Sequence, residues 1–141
     1  MEGTEHIMWK NILSIGIGGA LGTITRYFLN LYTLFVGYPI GTVIENILGS
    51  FLLGILTAWF LNRKSREWVK VGVGVGFCGG FTTMSTLAAD SFFLVQEVSI
   101  LSFLIYLFLS LFGGLTLAFM GLLLGTKWSG EKTNESEGGL S

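Results

Sequence analysis

Gly79-Gly80-Phe81-Thr82-Thr83-Met84-Ser85-Thr86-Leu87 sets two glycines and four hydroxyl residues in the middle of an apolar run long enough to cross a bilayer. Hydrocarbon offers no water to backbone groups. A helix interrupted there must bury its freed N–H and C=O groups in protein or use them to hold an ion. The stretch points to an ion pathway built on a broken membrane helix.

The rest of the chain agrees with that setting. Its 141 residues are 51% hydrophobic and 12% charged, with a mean hydropathy of +0.70, which excludes an ordinary soluble domain. A span needs about 20 apolar residues, and four segments qualify: Ile12 to Leu34, Ile40 to Leu61, Val71 to Leu94 and Ile100 to Leu124. No cleavage site follows the first, so it reads as a span and not as a signal peptide. The expected fold is an all-α membrane protein of four transmembrane helices over residues 1–128. The polar, glycine-containing tail 129–141 is expected to be disordered. Glycine pairs one helical turn apart, Gly18/Gly22, Gly37/Gly41, Gly72/Gly76, Gly76/Gly80 and Gly121/Gly125, predict close helix–helix contacts.

Several function classes drop out. The single cysteine, Cys78, permits no internal disulfide, and His6 lies in the terminal arm. A net charge of −1 leaves no nucleic-acid footprint. No nucleophile has a base beside it, so the chain is not expected to be an enzyme. Gly74 to Gly79 lacks the strand–helix–strand setting of a dinucleotide site.

Lys10, Arg63, Lys64, Arg66, Lys70, Lys127 and Lys132 all fall on one side of a four-span topology. The positive-inside rule then places both termini and the middle loop in the cytoplasm. Arg26 lies roughly 20 Å along the first span and Glu45 roughly 8 Å into the second, at about 1.5 Å per residue. Both fall in the outer third, so an Arg26–Glu45 contact is expected, because intramembrane charges are usually paired. Asp90 is a second partner or an interfacial group. Thr42, Asn46 and Ser50 recur every four residues, as do Tyr106, Ser110 and Gly114, which puts each set on one helix face as a polar stripe.

Gly18-Gly19-Ala20-Leu21-Gly22 with Arg26-Tyr27, Gly41-Thr42 with Asn46 and Gly49-Ser50, and Gly76-Phe77-Cys78-Gly79-Gly80-Phe81-Thr82-Thr83 with Ser85-Thr86 together resemble the Fluc/CrcB family of microbial fluoride channels. The resemblance covers all four spans in order. It implies a passive fluoride exporter of the microbial plasma membrane, embedded in lipid as an antiparallel, dual-topology dimer with two pores. It also implies a structural sodium ion held by the backbone carbonyls of Gly79 and Thr82 from both subunits. The fluoride pathway would be lined by Thr42, Asn46, Ser50, Met84, Ser85, Thr86, Leu87, Tyr106 and Ser110.

The chain departs from the family pattern where the pathway is narrowest. The family usually reads Thr-Thr-Phe-Ser-Thr-Phe, with electropositive ring edges toward the anion; here those positions are Met84 and Leu87. Glu45 stands at a usually apolar place, and Asp90 where glutamate is common. The strong charge bias also opposes insertion in both directions. A homologous second subunit of opposite topology is therefore the expected dimer partner. Two other readings stay open: a non-conducting partner subunit, and a small proton-coupled multidrug transporter with Glu45 as its coupling acid.

Overall fold

The computed structural model describes residues 2–137, with side chains described for residues 3–129. Four helical runs are long and apolar enough to cross a membrane: Gly3–Val36, Ile40–Asn62, Glu67–Val98 and Ile100–Ser129. The first contains α1 (Glu2–Thr33) and a 3-10 turn, Leu34–Val36; the second is α2 (Ile40–Asn62). The third joins α3 (Glu67–Lys70), a π-helical stretch Val71–Cys78, α4 (Gly79–Phe81), α5 (Ser85–Phe93) and a π turn Leu94–Val98; the fourth is α6 (Ile100–Glu137). The last helix does not end where the composition turns polar. Its backbone is helical through Glu137, and 138–141 lie outside the described residues.

Helix pairing follows the glycines. A Cβ at Gly80 would overlap the Gly19 carbonyl, and one at Gly22 would overlap the Phe77 carbonyl and lie 2.8 Å from the Phe81 nitrogen. These positions bring α1 and the third run into backbone contact. On the other side, a Cβ at Gly121 would overlap the Phe51 carbonyl, and one at Gly54 would overlap Ala118, which seats α2 against α6. Close approach lets dispersion contacts and backbone dipoles hold helices that gain nothing from water exclusion in lipid. The Gly37/Gly41 pair divides its work: Gly37 has φ 67° and turns the chain into α2, whereas Gly41 faces Asn30 and Thr33.

The interruption in the third run falls later than the glycines suggested. Gly79 is helical, with φ −67° and ψ −34°, and Thr82 is extended, with φ −77° and ψ 157°. Helix resumes at Ser85. Gly79 and Gly80 are therefore helical residues, Gly80 being the one that admits α1, while the departure from helix occurs at Thr82 to Met84.

Candidate functional site

Thr83 is the centre of the interruption. Its N–H donates to Asn46 Oδ1 at 2.9 Å, and its carbonyl accepts from Asn46 Nδ2 at 3.1 Å. One carboxamide on α2 thus satisfies both backbone groups of Thr83, which the interior requires. The same Nδ2 lies 3.0 Å from Ser110 Oγ on α6. Thr83 Oγ1 accepts from the Thr86 N–H at 3.1 Å, satisfying one of the free N–H groups in the first turn of α5. Thr83 Oγ1 also lies 3.0 Å from Thr86 Oγ1 and 3.3 Å from Ser85 Oγ. Sequence reasoning left Thr83 out of the pathway set, although a threonine three residues before another helical position is a readable cap signal.

One layer outward, Asp90 Oδ2 accepts from Thr42 Oγ1 at 2.7 Å and from the Tyr106 hydroxyl at 2.8 Å. Asp90 is the acceptor that ties α2, α5 and α6 together. Tyr106 is fully buried and stands edge-on to Tyr38, centroids 6.5 Å apart; the Tyr38 hydroxyl donates to the Ser102 carbonyl at 2.9 Å. A cavity of about 370 Å³ opens beside this layer, lined by Asn30, Thr33, Thr42, Thr86 and Asp90 among others. One layer inward, Ser50 lies beside Gly114, where a Cβ would come 3.3 Å from Ser50 Oγ.

A second cavity of about 440 Å³ runs along Asn46, Ser50, Thr82, Met84, Ser110 and Gly114. The two residues that replace the family's phenylalanines part company here. Met84 is 71% exposed, whereas Leu87 is 3% exposed and packs in a cluster with Leu94 and Tyr106. Leu87 touches the groove but is chiefly core.

No hydrogen bond joins the two charges that depth brought together, Arg26 and Glu45. Arg26 Nη1 reaches the Thr82 carbonyl at 3.5 Å, and Thr23 Oγ1 reaches the Gly80 carbonyl at 3.4 Å. Glu45 is fully buried, and neither of its carboxylate oxygens has a hydrogen-bond partner. The direct Arg26–Glu45 hydrogen bond is absent because the guanidinium is turned to the interrupted segment.

Hydroxyl and amide groups form a column through the four-span bundle, and no group of three or more His, Cys, Asp or Glu side chains stands together among the described residues. Comparison with known proteins supplies the family. The family model described as CrcB-like protein, Camphor Resistance (CrcB), matches residues 13–122. The chain belongs to the CrcB-like family. Fluoride-specific ion channel FluC 2 of Halalkalibacterium halodurans is 57% identical over 129 residues, covering 92% of this chain and 96% of the relative. FluC 2 of Bacillus subtilis is 42% identical over 117 residues, covering 83% and 88%. Fluoride-specific ion channel FluC of Thermus thermophilus is 40% identical over 119 residues, covering 82% and 94%. These CrcB-like relatives are ion channels, not enzymes, and the chain is a multi-pass membrane protein of the same length class.

Proposed function

We propose that this chain is a subunit of a passive fluoride channel that lets fluoride leave the cytoplasm, paired with a related subunit of opposite orientation. The observation that carries the reading is the column of Thr42, Asn46, Ser50 and Ser110 beside an open groove. Met84 projects into it, and nothing lies within 4 Å of a Cβ built at Gly79. Such a groove suits completion by a second subunit. Hydroxyl and amide donors can replace the water of a small anion as it passes. Hydrogen fluoride crosses lipid, ionises at neutral pH and is trapped; an inside-negative potential, about 2.3 kcal/mol per charge per 100 mV, then drives the anion out.

The Gly79 and Thr82 residues line the same open grooves, so their carbonyls are fit to hold a hard cation such as sodium between subunits. Thr82 already receives Arg26, but a carbonyl has a second lone pair. Bound sodium would supply a fixed positive charge at the centre of the assembly.

Fluoride-electrode efflux from liposomes tests the reading in three arms. The chain alone should carry little fluoride, and the chain with an oppositely oriented homologue should carry it readily. Replacing sodium by a bulky organic cation should abolish the flux. Met84→Phe should raise flux through this chain's groove, because an aromatic edge toward an anion is worth on the order of 1 kcal/mol; Leu87→Phe should instead overpack the core, at about 1–3 kcal/mol. Absence of fluoride flux with every partner tried would reject the function, and robust flux from the chain alone would reject the heterodimer.

Orientation has its own test. The basic middle loop should be shielded in intact cells and the α1–α2 link open to the outside. Phe35, 95% exposed, is changed to Cys in one variant and Lys64 in another, and both are treated with an impermeant maleimide. Labelling of Phe35→Cys alone is expected. Labelling of both would mean dual insertion.

A further inference from the structure

A groove of about 470 Å³ between α1 and the start of the third run has no part in the pathway described above. Glycines meet at its floor: a Cβ at Gly18 would overlap the Gly72 carbonyl, and one at Gly72 would overlap Ser14 Oγ. Ile17 and Leu21 line it from α1, Val73 and Phe77 from the third run, and Leu52 from α2. From Ser14 to Leu21 it runs roughly 10 Å into the membrane, at about 1.5 Å per residue. It shares no lining residue with the two grooves offered to a partner subunit. A subunit that completes those need not cover this one.

Bases gather at the mouth of this groove. Trp68 lines it, and its carbonyl accepts from Ser14 Oγ at 2.5 Å, so the beginnings of α1 and α3 lie side by side. Lys10 stands one turn before Ser14 on the same face of α1, and Arg66 is the residue that precedes α3. Glu67 is the only acid between Asn62 and Lys70. Among the described residues no hydrogen bond or ion pair holds the side chains of Lys10, Lys64 or Arg66, whereas Arg63 lies over the Trp59 ring, 4.9 Å from its centroid. Trp9, Trp59, Trp68 and Trp128, all the tryptophans of the chain, sit at this same end of the four spans. Indole rings anchor at the headgroup level, so the uncommitted cations stand where lipid phosphates lie.

We propose that the groove is a binding site for an anionic phospholipid, with an acyl chain in the trench and the phosphate held by Lys10 and Arg66. The orientation proposed above turns this end to the cytoplasmic leaflet, which carries the anionic lipids. Guanidinium and ammonium groups both pair with a phosphate, but a choline headgroup brings its own cation to the same place. The site therefore prefers phosphatidylglycerol to phosphatidylcholine. The trench adds the second half of the recognition: glycines at the floor leave out the side chains that would fill it, so a methylene chain gains dispersion contacts there that an open helix face does not offer. None of this depends on which ion the protein carries.

The probe is phosphatidylglycerol carrying a diazirine on its acyl chain, added to the purified full-length chain in a non-ionic detergent. After irradiation, peptide mass spectrometry should place adducts on Ile17, Leu21, Val73 and Phe77. Unlabelled phosphatidylglycerol should compete about tenfold better than phosphatidylcholine of the same chains, and soluble glycerol phosphate should not compete. Lys10→Gln combined with Arg66→Gln should cut the labelling about tenfold, while Lys127→Gln, on α6, should leave it unchanged. Adducts spread equally over the exposed Leu115 and Phe119 of α6, equal competition by the two lipids, or an equal loss in Lys127→Gln would each overturn the site. Glycerol phosphate competing as well as the lipid would leave a bare phosphate site and overturn the lipid one. Loss of the adducts on assembly with the oppositely oriented homologue would give the groove to a subunit and overturn it too. If the double variant does not fold, the adduct map and the lipid competition in the wild type decide alone.

Discussion

Asn46→Leu is expected to abolish fluoride flux and to loosen the bundle. The carboxamide makes three hydrogen bonds: to the Thr83 N–H, the Thr83 carbonyl and Ser110. Thr83 is 7% exposed and Ser110 3% exposed, so leucine, of similar volume, would strand a buried donor and two buried acceptors. Each costs about 1–3 kcal/mol, for a total of roughly 3–9 kcal/mol. Most of that falls on the segment that carries Met84, Ser85 and Thr86. A loss of more than about 100-fold in flux follows, by the tenfold-per-1.4 kcal/mol conversion. Asn46→Asp is the informative companion: it keeps an acceptor for the Thr83 N–H, loses both donors and adds a charge near Glu45, so it too should fail. Flux is measured by electrode and folding by gel filtration in detergent. Wild-type flux in Asn46→Leu would show that the interrupted segment is held by something other than this side chain.

Gly80→Ala should destabilise the protein more than its single methyl suggests. The added Cβ would overlap the Gly19 carbonyl and lie about 3 Å from two further α1 backbone atoms, at 3.0 and 3.1 Å. Backbone cannot rotate away as a side chain can, so α1 must move off the third run. Overpacking of this kind costs about 1–3 kcal/mol and more for Gly80→Leu. Gly16→Ala is the control, because nothing lies within 4 Å of a Cβ there. A helical glycine in open space should gain up to about 1 kcal/mol on becoming alanine. Thermal unfolding in detergent should therefore move in opposite directions for the two variants. Equal stability would mean that α1 and the third run are not packed backbone to backbone.

Much of the architecture was legible in the chain. Apolar length alone marks four spans, because lipid thickness sets how many residues a helix must supply. Glycines one turn apart announce close packing, and hydroxyls at the same spacing announce a polar face, since helix periodicity turns sequence spacing into position. The family motifs followed from those same residues. Partners across helices were less accessible. That the third run closes on α1, and α6 on α2, depends on which backbones touch, and spacing within one helix does not say which neighbour fills its groove.

The position of the interruption shows the difference most clearly. Local propensity favours a break at Gly79-Gly80, since glycine is the poorest helix former there, yet both residues are helical and the chain leaves the helix at Thr82. A glycine permits a break but does not require one. The break is held where Asn46, 37 residues away in sequence, offers a donor and an acceptor to Thr83. Leu87 was assigned to the pathway from its motif position and lies mainly in the core, and Arg26 and Glu45 were matched by depth but share no hydrogen bond. The sequence by itself determined that this is a four-span channel-type protein with polar and charged groups at mid-membrane. Only the tertiary structure decided which of those groups are satisfied and which, like Glu45, make no hydrogen bond, because hydrogen bonds are directional and short and depend on rotation about each helix axis.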